Sequence, residues 1–431
     1  MIRAGLIVLL WLLTASTLGS VRLSPIYAHE AGNWPLETFA ANGLFRQIAR
    51  YQQGHPRAVT LTRGHYTLDS LAGQVGEQVL SRQENGWVLH YPLVIAPGAS
   101  LSIRDSSLFI EGRHGGCLIN RGTLTLQQAR IRSDGGADSG FIHGWGGSST
   151  TIENSTLTGL GRADFRASGL SVARHRYQGP LRPATLTVAR SHLADLYRGV
   201  DAEPGSQVHL EDVVIENSRE QGVVIQGARS QLDRLTVRHS RSHGVRLGGG
   251  EAIALSSATL EHNGGAGLLV ENHTEALAVR QLHSQYNREY GLQIKGNRAT
   301  HATHLAQLHL AGNGSDGLRL DGIMTLTLSE ARIDANQRYA ISLQGAAQQP
   351  ITATLADLHL HHNRLAALHT GGEGELTVTG LSLRHHSNRG QYLAGNLAAH
   401  ESRLLPPLLK GERVQVTFTD SPPTDRLATR R

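Results

Sequence analysis

Four side chains near the middle of the sequence have the types that proton chemistry beside a carboxylate requires. Moving a proton at C5 of a uronic acid takes a cation to quieten the sugar carboxylate, a base for the C5 proton and a donor that returns a proton. Arg246 suits the first task, His243 or His175 the second, and Tyr197 the third, since an imidazole is largely neutral near pH 7. Arg174 adjoins His175, and Asp201 and Glu203 follow Tyr197 closely. The chain carries 24 histidines, so an exposed one is more often solvent-facing decoration than a base. For Arg246 the plain alternative is an ion pair with a neighbouring carboxylate.

What would bring such residues together is a repeat. An Asn or Ser is followed four or five positions later by a glycine that opens an apolar-x-apolar triplet: Asn217 to Gly222, Ser240 to Gly244, Asn263 to Gly267, Asn287 to Gly291 and Asn313 to Gly317. Asn336 and Asn363 continue the series with Ala340 and Ala367 in the glycine place. From Gly199 the interval stays between 22 and 26 residues. That period predicts an all-β right-handed parallel β-helix, each coil giving three short strands to three long sheets. A solenoid of helix pairs would have longer repeats and a helical apolar period. In triplets such as Val223 and Ile225, or Val245 and Leu247, the outer members point inward and stack on their equivalents one coil away. The short amide of the Asn is suited to turn backbone, and the glycine to a place where a Cβ would collide.

Registering the coils on the glycine also sets which side chains face outward together. Two positions after it come Ser171, Asp201, Val224, Arg246, Leu269, Gln293, Arg319 and Ser342; four after it come Ala173, Glu203, Gln226, Gly248, Glu271, Lys295, Asp321 and Gln344. With coils about 4.8 Å apart, a sugar chain could touch several at once. Arg174, Asp201, Glu203, Gln226, Glu271, Gln293, Lys295 and Arg319 are the expected polymer contacts.

Composition bounds the rest. The chain has 431 residues, one cysteine, 18% charged and 39% hydrophobic residues, which excludes a disulfide scaffold and a disordered chain. Net charge is +6, and of 41 basic residues only Lys295 and Lys410 are lysines. The arginines are scattered singly, so the expected partner is an acidic polysaccharide and not nucleic acid. Residues 1–28 read as a signal peptide: Arg3, an apolar run from Ala4 to Leu13, then small and polar residues, with the cut near Gly19 or Ala28. An uncleaved anchor is the rival reading; no later run approaches the roughly 18 apolar residues of a membrane span. The expected layout is a cap over 29–90, the β-helix over 91–405, and a C-terminal cap and tail over 406–431. No cofactor is expected. His301 with His304, and His361 with His362, are paired imidazoles, but no carboxylate or cysteine follows at ligand spacing, so no metal set is expected either.

The stretches HPRAVTLTRGHYTLDSLAGQVGEQVL and YPLVIAPGASLSI, with Gly144-Trp145-Gly146-Gly147-Ser148 and the turn series to about Gly345, resemble the periplasmic alginate (mannuronan) C5-epimerases. The resemblance implies a periplasmic β-helical enzyme converting mannuronate to guluronate within a polymer, beside other proteins of a polysaccharide-export complex. The family's Asp-Pro-His-Asp segment, whose histidine is its proposed base, falls on Val224-Ile225-Gln226-Gly227 when counted from Gly222. Its carboxylate-neutralising arginine falls on Gly249, and its tyrosine near His175. A glutamine cannot take up a C5 proton. Three readings follow: an epimerase or lyase for a different uronate polymer, with His175 or His243 as a relocated base; a non-catalytic β-helix that guards nascent polysaccharide; and ordinary alginate epimerisation.

Overall fold

The computed structural model describes residues 20–26, 34–41, 43–174, 182–296, 302–322, 324–345, 350–384 and 390–420. The chain winds as a right-handed coil whose strands pair in parallel with their equivalents one turn on. The first sheet runs from Pro92–Ile95 through Gly169–Ala173, Arg198–Ala202, Val223–Gln226 and Val245–Gly249 to Leu393–Gly395. Its register is the one read from the glycines: Ser171 pairs with Asp201, Asp201 with Val224, Val224 with Arg246, and Arg246 with Leu269.

The other two faces depart from the expectation of three short strands per coil. In early coils they are separate, as Thr123–Gln127 and Arg130–Arg132. Later they merge into strands such as Ala184–Ala194 and Ser206–Glu216, each 11 residues long. One residue per coil turns the corner in the left-handed conformation: Arg190 (φ 48°), Asp212 (52°), Arg234 (48°), Ser257 (51°). That residue inverts the inward parity, so Leu186 and Val188 point in before the corner, and Ser191 and Leu193 after it.

Inside, stacked Leu, Ile and Val rows form one continuous core from Val59 to Phe418. At the turns, Asn263, Asn287, Asn313, Asn336 and Asn363 are buried in a ladder. Asn287 donates its backbone N–H to Asn313 Oδ1 at 3.1 Å, and its own Oδ1 accepts from the backbone of Asn263 at 3.0 Å. Asn217 does not belong to the ladder; it is exposed at φ 56°, and Ser218 holds the buried place. The one-residue difference from the other turns comes from this: a polar residue at the left-handed corner stands one place before the ladder residue. The turn glycines are kept by packing: a Cβ on Gly267 would stand 2.0 Å from Ser284 Oγ and 2.7 Å from Asn287 Nδ2.

The ends also differ from expectation. The first coil already includes Arg57–Tyr66, which pairs in parallel with strands of both neighbouring sheets, and Ser20–Pro25, inside the stretch read as export segment, pairs antiparallel with it. Helix α1 (Leu44–Tyr51) and its flanks do not close the coil end. They bury Phe39, Leu44, Phe45 and Ile48 against the outward side of the first sheet, on Val94, Ile119, Trp145 and Ala173. The end itself is covered by α2 (Leu68–Ala72), with Leu68 and Leu71 in the core. At the other end, α3 (Glu401–Leu409) inserts Leu404 and Leu408, and Val414–Phe418 closes the last coil antiparallel.

Candidate functional site

Because α1 and its flanks cover the outward face of the first sheet only as far as Ala173, the face opens at the next coil. There lies a groove of about 450 Å³ lined by Tyr197, Arg198, Asp201, Glu203, Val224, Gln226 and Arg246 from the coils, and by Phe165, Arg166 and Ser168 from the preceding loop. The periodic register therefore delivers Asp201, Glu203, Gln226 and Arg246 to one place, with Tyr197 beside them.

The loop wall was not legible. Phe165 is 64% exposed. Arg166 lies between aromatic rings, 4.8 Å from that of Trp145 and 4.5 Å from that of Phe165, and grips Glu203 in a fork, with contacts of 2.9, 3.1 and 2.6 Å. This loop precedes the coil phase, so no repeat position announces it. Arg198 was also missed, since the residue before a turn glycine has no fixed outward parity. Its guanidinium donates to Asp201 Oδ2 at 2.9 Å and to Glu220 at 2.7 Å. Burial alone would lower the Arg198 pKa; Glu220 and Asp201 outweigh it and push it further up. Ser168 Oγ donates to the same Asp201 oxygen at 2.7 Å.

Charges along the open face are paired, some across coils and some within one. Arg246 binds Glu271, which also meets Lys295 Nζ at 3.4 Å. Burial would raise the Glu271 carboxyl, but Arg246 and Lys295 hold it below its ordinary value. Farther along, Arg319 pairs with Asp321 at 2.9 Å, and Gln293 lies between Leu269 and Arg319 in the same column. The amide nitrogen of Gln226 is buried without a hydrogen-bond partner. Tyr197 is pushed above the usual phenol value, first by burial and then by Glu220, so its hydroxyl is protonated at neutral pH.

Other expected residues stand elsewhere. Arg174 is exposed, its stem packed over Gly205, and does not line the groove. His175 lies outside the described residues. His243 does not line the groove either; its Nδ1 accepts the Ala266 backbone N–H at 2.9 Å, and burial holds the ring below the ordinary imidazole value. The neutral ring thus carries its proton on Nε2, which suits it to donate and not to abstract. Gly249, where the resembling family's arginine would fall, has φ 91°, and a Cβ there would stand 2.4 Å from Gly227 N. The backbone leaves no place for a side chain.

Outside the groove, one group of possible donors converges that neighbour spacing does not reveal: His90, Glu111 and His114. The paired histidines of the sequence, His301 with His304 and His361 with His362, are not part of it. Of those, His361 contacts Ser382 at 3.3 Å, and His301 lies outside the described residues.

A profile described as "Right handed beta helix region" matches residues 168–313 and 221–383, together half of the chain. The chain belongs to the right-handed β-helix family. Within that family it is 22% identical over 289 residues to a mannuronan C5-epimerase of Pseudomonas putida, covering 62% of this chain and 51% of that protein. It is 26% identical over 139 residues to a mannuronan C5-epimerase of Pseudomonas fluorescens, covering 29% and 26%. The chain thus spans about half the length of the first relative and about a quarter of the second. Among solved structures, the periplasmic alginate epimerase AlgG superposes with a TM-score of 0.69 at 15% identity, over 89% of this chain and 99% of the other. A mutant of that protein superposes at 0.72. This likeness is one of fold. No helix among the described residues is long and apolar enough to cross a membrane.

Proposed function

We propose that this β-helix holds a uronic-acid polysaccharide along the open part of its first sheet and moves a proton at C5 of the sugar seated in the groove, in the periplasm. The observation that carries this reading is the meeting of Asp201, Gln226, Arg246 and Tyr197 in one groove, at the start of a column of polar side chains. Arg246 faces the sugar carboxylate, with Gln226 beside it in the groove wall. Ser168 and Arg198 both donate to Asp201 Oδ2, which leaves Oδ1 to take the C5 proton. Tyr197, protonated at neutral pH, returns one from the other side. Return without bond cleavage is epimerisation; loss of the O4 substituent instead is a lyase reaction. Likeness to two mannuronan C5-epimerases supports uronate as the sugar class.

A second reading has its own support. Arg166, Arg198, Arg246 and Arg319 each already have a carboxylate partner, as in a surface that holds a chain through many exchanging contacts without chemistry. Incubation of the protein with several uronate polymers in heavy water separates the two. Deuterium at C5 without new unsaturated ends is expected; tight binding with neither deuterium nor unsaturated ends would leave only the guard, and absence of binding would end both readings.

A further inference from the structure

Away from the groove, three side chains meet beside α1. His90 follows strand Gly86–Leu89, and one coil later Glu111 precedes the 3-10 turn Gly112–His114 and His114 ends it. Their donor atoms lie within 4.8 Å of one another. Glu111 is only 4% exposed, and both His90 Nδ1 and His114 Nδ1 approach its Oε2, the latter at 2.7 Å. That His114 nitrogen is buried and lacks the alignment of a hydrogen bond. A carboxylate oxygen can accept from both rings, so these contacts hold the three donor groups together with or without an ion. A bound ion would spread the three from hydrogen-bonding distance to the roughly 3.4 Å that separates donors on a tetrahedral zinc ion, well inside the reach of side chains already gathered at one point.

The surroundings fit the same purpose. His90 has its other nitrogen, Nε2, against Ser81 Oγ at 2.9 Å, which aims Nδ1 inward. Glu111 keeps Oε1 for Arg113, whose Nε lies at 2.7 Å. Such outer partners orient metal ligands in known sites. Tyr51 of α1 stacks on His114 at 3.8 Å and 9°, closing one side.

We propose that His90 Nδ1, Glu111 Oε2 and His114 Nδ1 bind one zinc-class divalent ion that staples the first coils beneath α1. Nothing in this proposal depends on the groove's chemistry. The test uses the full chain, stripped of metal and titrated with Zn2+ alone by calorimetry, with bound zinc counted after gel filtration. One equivalent per chain is expected, together with a rise in thermal midpoint. Glu111→Gln, nearly isosteric, should weaken that site at least about 100-fold and abolish the rise, whereas a His361→Ala/His362→Ala double variant should keep both. Should Glu111→Gln fold poorly, His90→Asn gives the same reading. Zinc that stays bound in the Glu111 and His90 variants, or a wild-type chain that takes up none and is unmoved in midpoint, overturns the site.

Discussion

At the scale of single residues, Arg246 has two partners to choose between. Glu271 holds it in the free protein, and in the complex proposed above the sugar carboxylate would compete for it. Arg246→Ala should therefore weaken binding of a uronate polymer roughly tenfold, the size of one charge-assisted contact, with a flatter salt dependence. Affinity measured at two ionic strengths checks this. The same substitution has a pH consequence. Because Arg246 and Lys295 hold the Glu271 carboxyl below its ordinary value, the pair's contribution is complete above about pH 4.5 and is lost as pH falls through the lowered folded value. Arg246→Ala should flatten that acid limb, as read from urea midpoints between about pH 3 and 6. Cys117, by contrast, is buried, with its thiol pushed up to about 12 by burial, so alkylating reagents should leave it unmodified in the native chain.

At the scale of the element, each turn combines a ladder amide with a glycine that has no room for a methyl group. Asn287→Ala removes donors to Leu260, Ser284 and Asn313 and the acceptor used by Asn263. The backbone N–H of Asn263 is then stranded inside the protein. The expected cost is about 3 kcal/mol, seen as a lower urea midpoint with an unchanged slope. Gly267→Ala should cost about 2 kcal/mol or more by overpacking, since its Cβ would displace both Ser284 Oγ and Asn287 Nδ2. The two variants should be non-additive, because the second disturbs the amide that the first deletes. How the turn series was read illustrates the limit of spacing. Asn263 to Asn363 recur in phase, but at Asn217 a left-handed corner residue of the same type precedes the true ladder residue, Ser218. Composition cannot separate the two places; only backbone conformation does.

At the scale of the whole molecule, the ends decide solubility and where the groove begins. A stack of parallel strands presents unpaired backbone and apolar rows wherever it stops. Helix α3 and the antiparallel strand Val414–Phe418 cover one such end, so a chain cut before residue 398 should self-associate, as light scattering on a sizing column would show. At the front, α1 and its flanks seal Trp145 and Ala173 beneath Phe39 and Phe45. A polymer lying along the first sheet must therefore stop, or turn away, at Phe165. If so, Phe165→Ala should change how long a chain is bound more than how tightly a short one is, a difference read from affinities for oligomers of graded length.

The sequence alone determined the coil, its period and the outward columns, because inward apolar alternation and close-packed glycines recur every turn and each is a local requirement of stacking. From that register it could place Asp201, Gln226 and Arg246 on one ribbon. Only the tertiary structure decided that the ribbon opens after Ala173, that Arg166 reaches in from a loop to hold Glu203, and that His243 spends a nitrogen on the Ala266 backbone. It also brought His90 to Glu111 and His114. These depend on how irregular segments pack across coils, and such packing leaves no periodic trace in the order of residues.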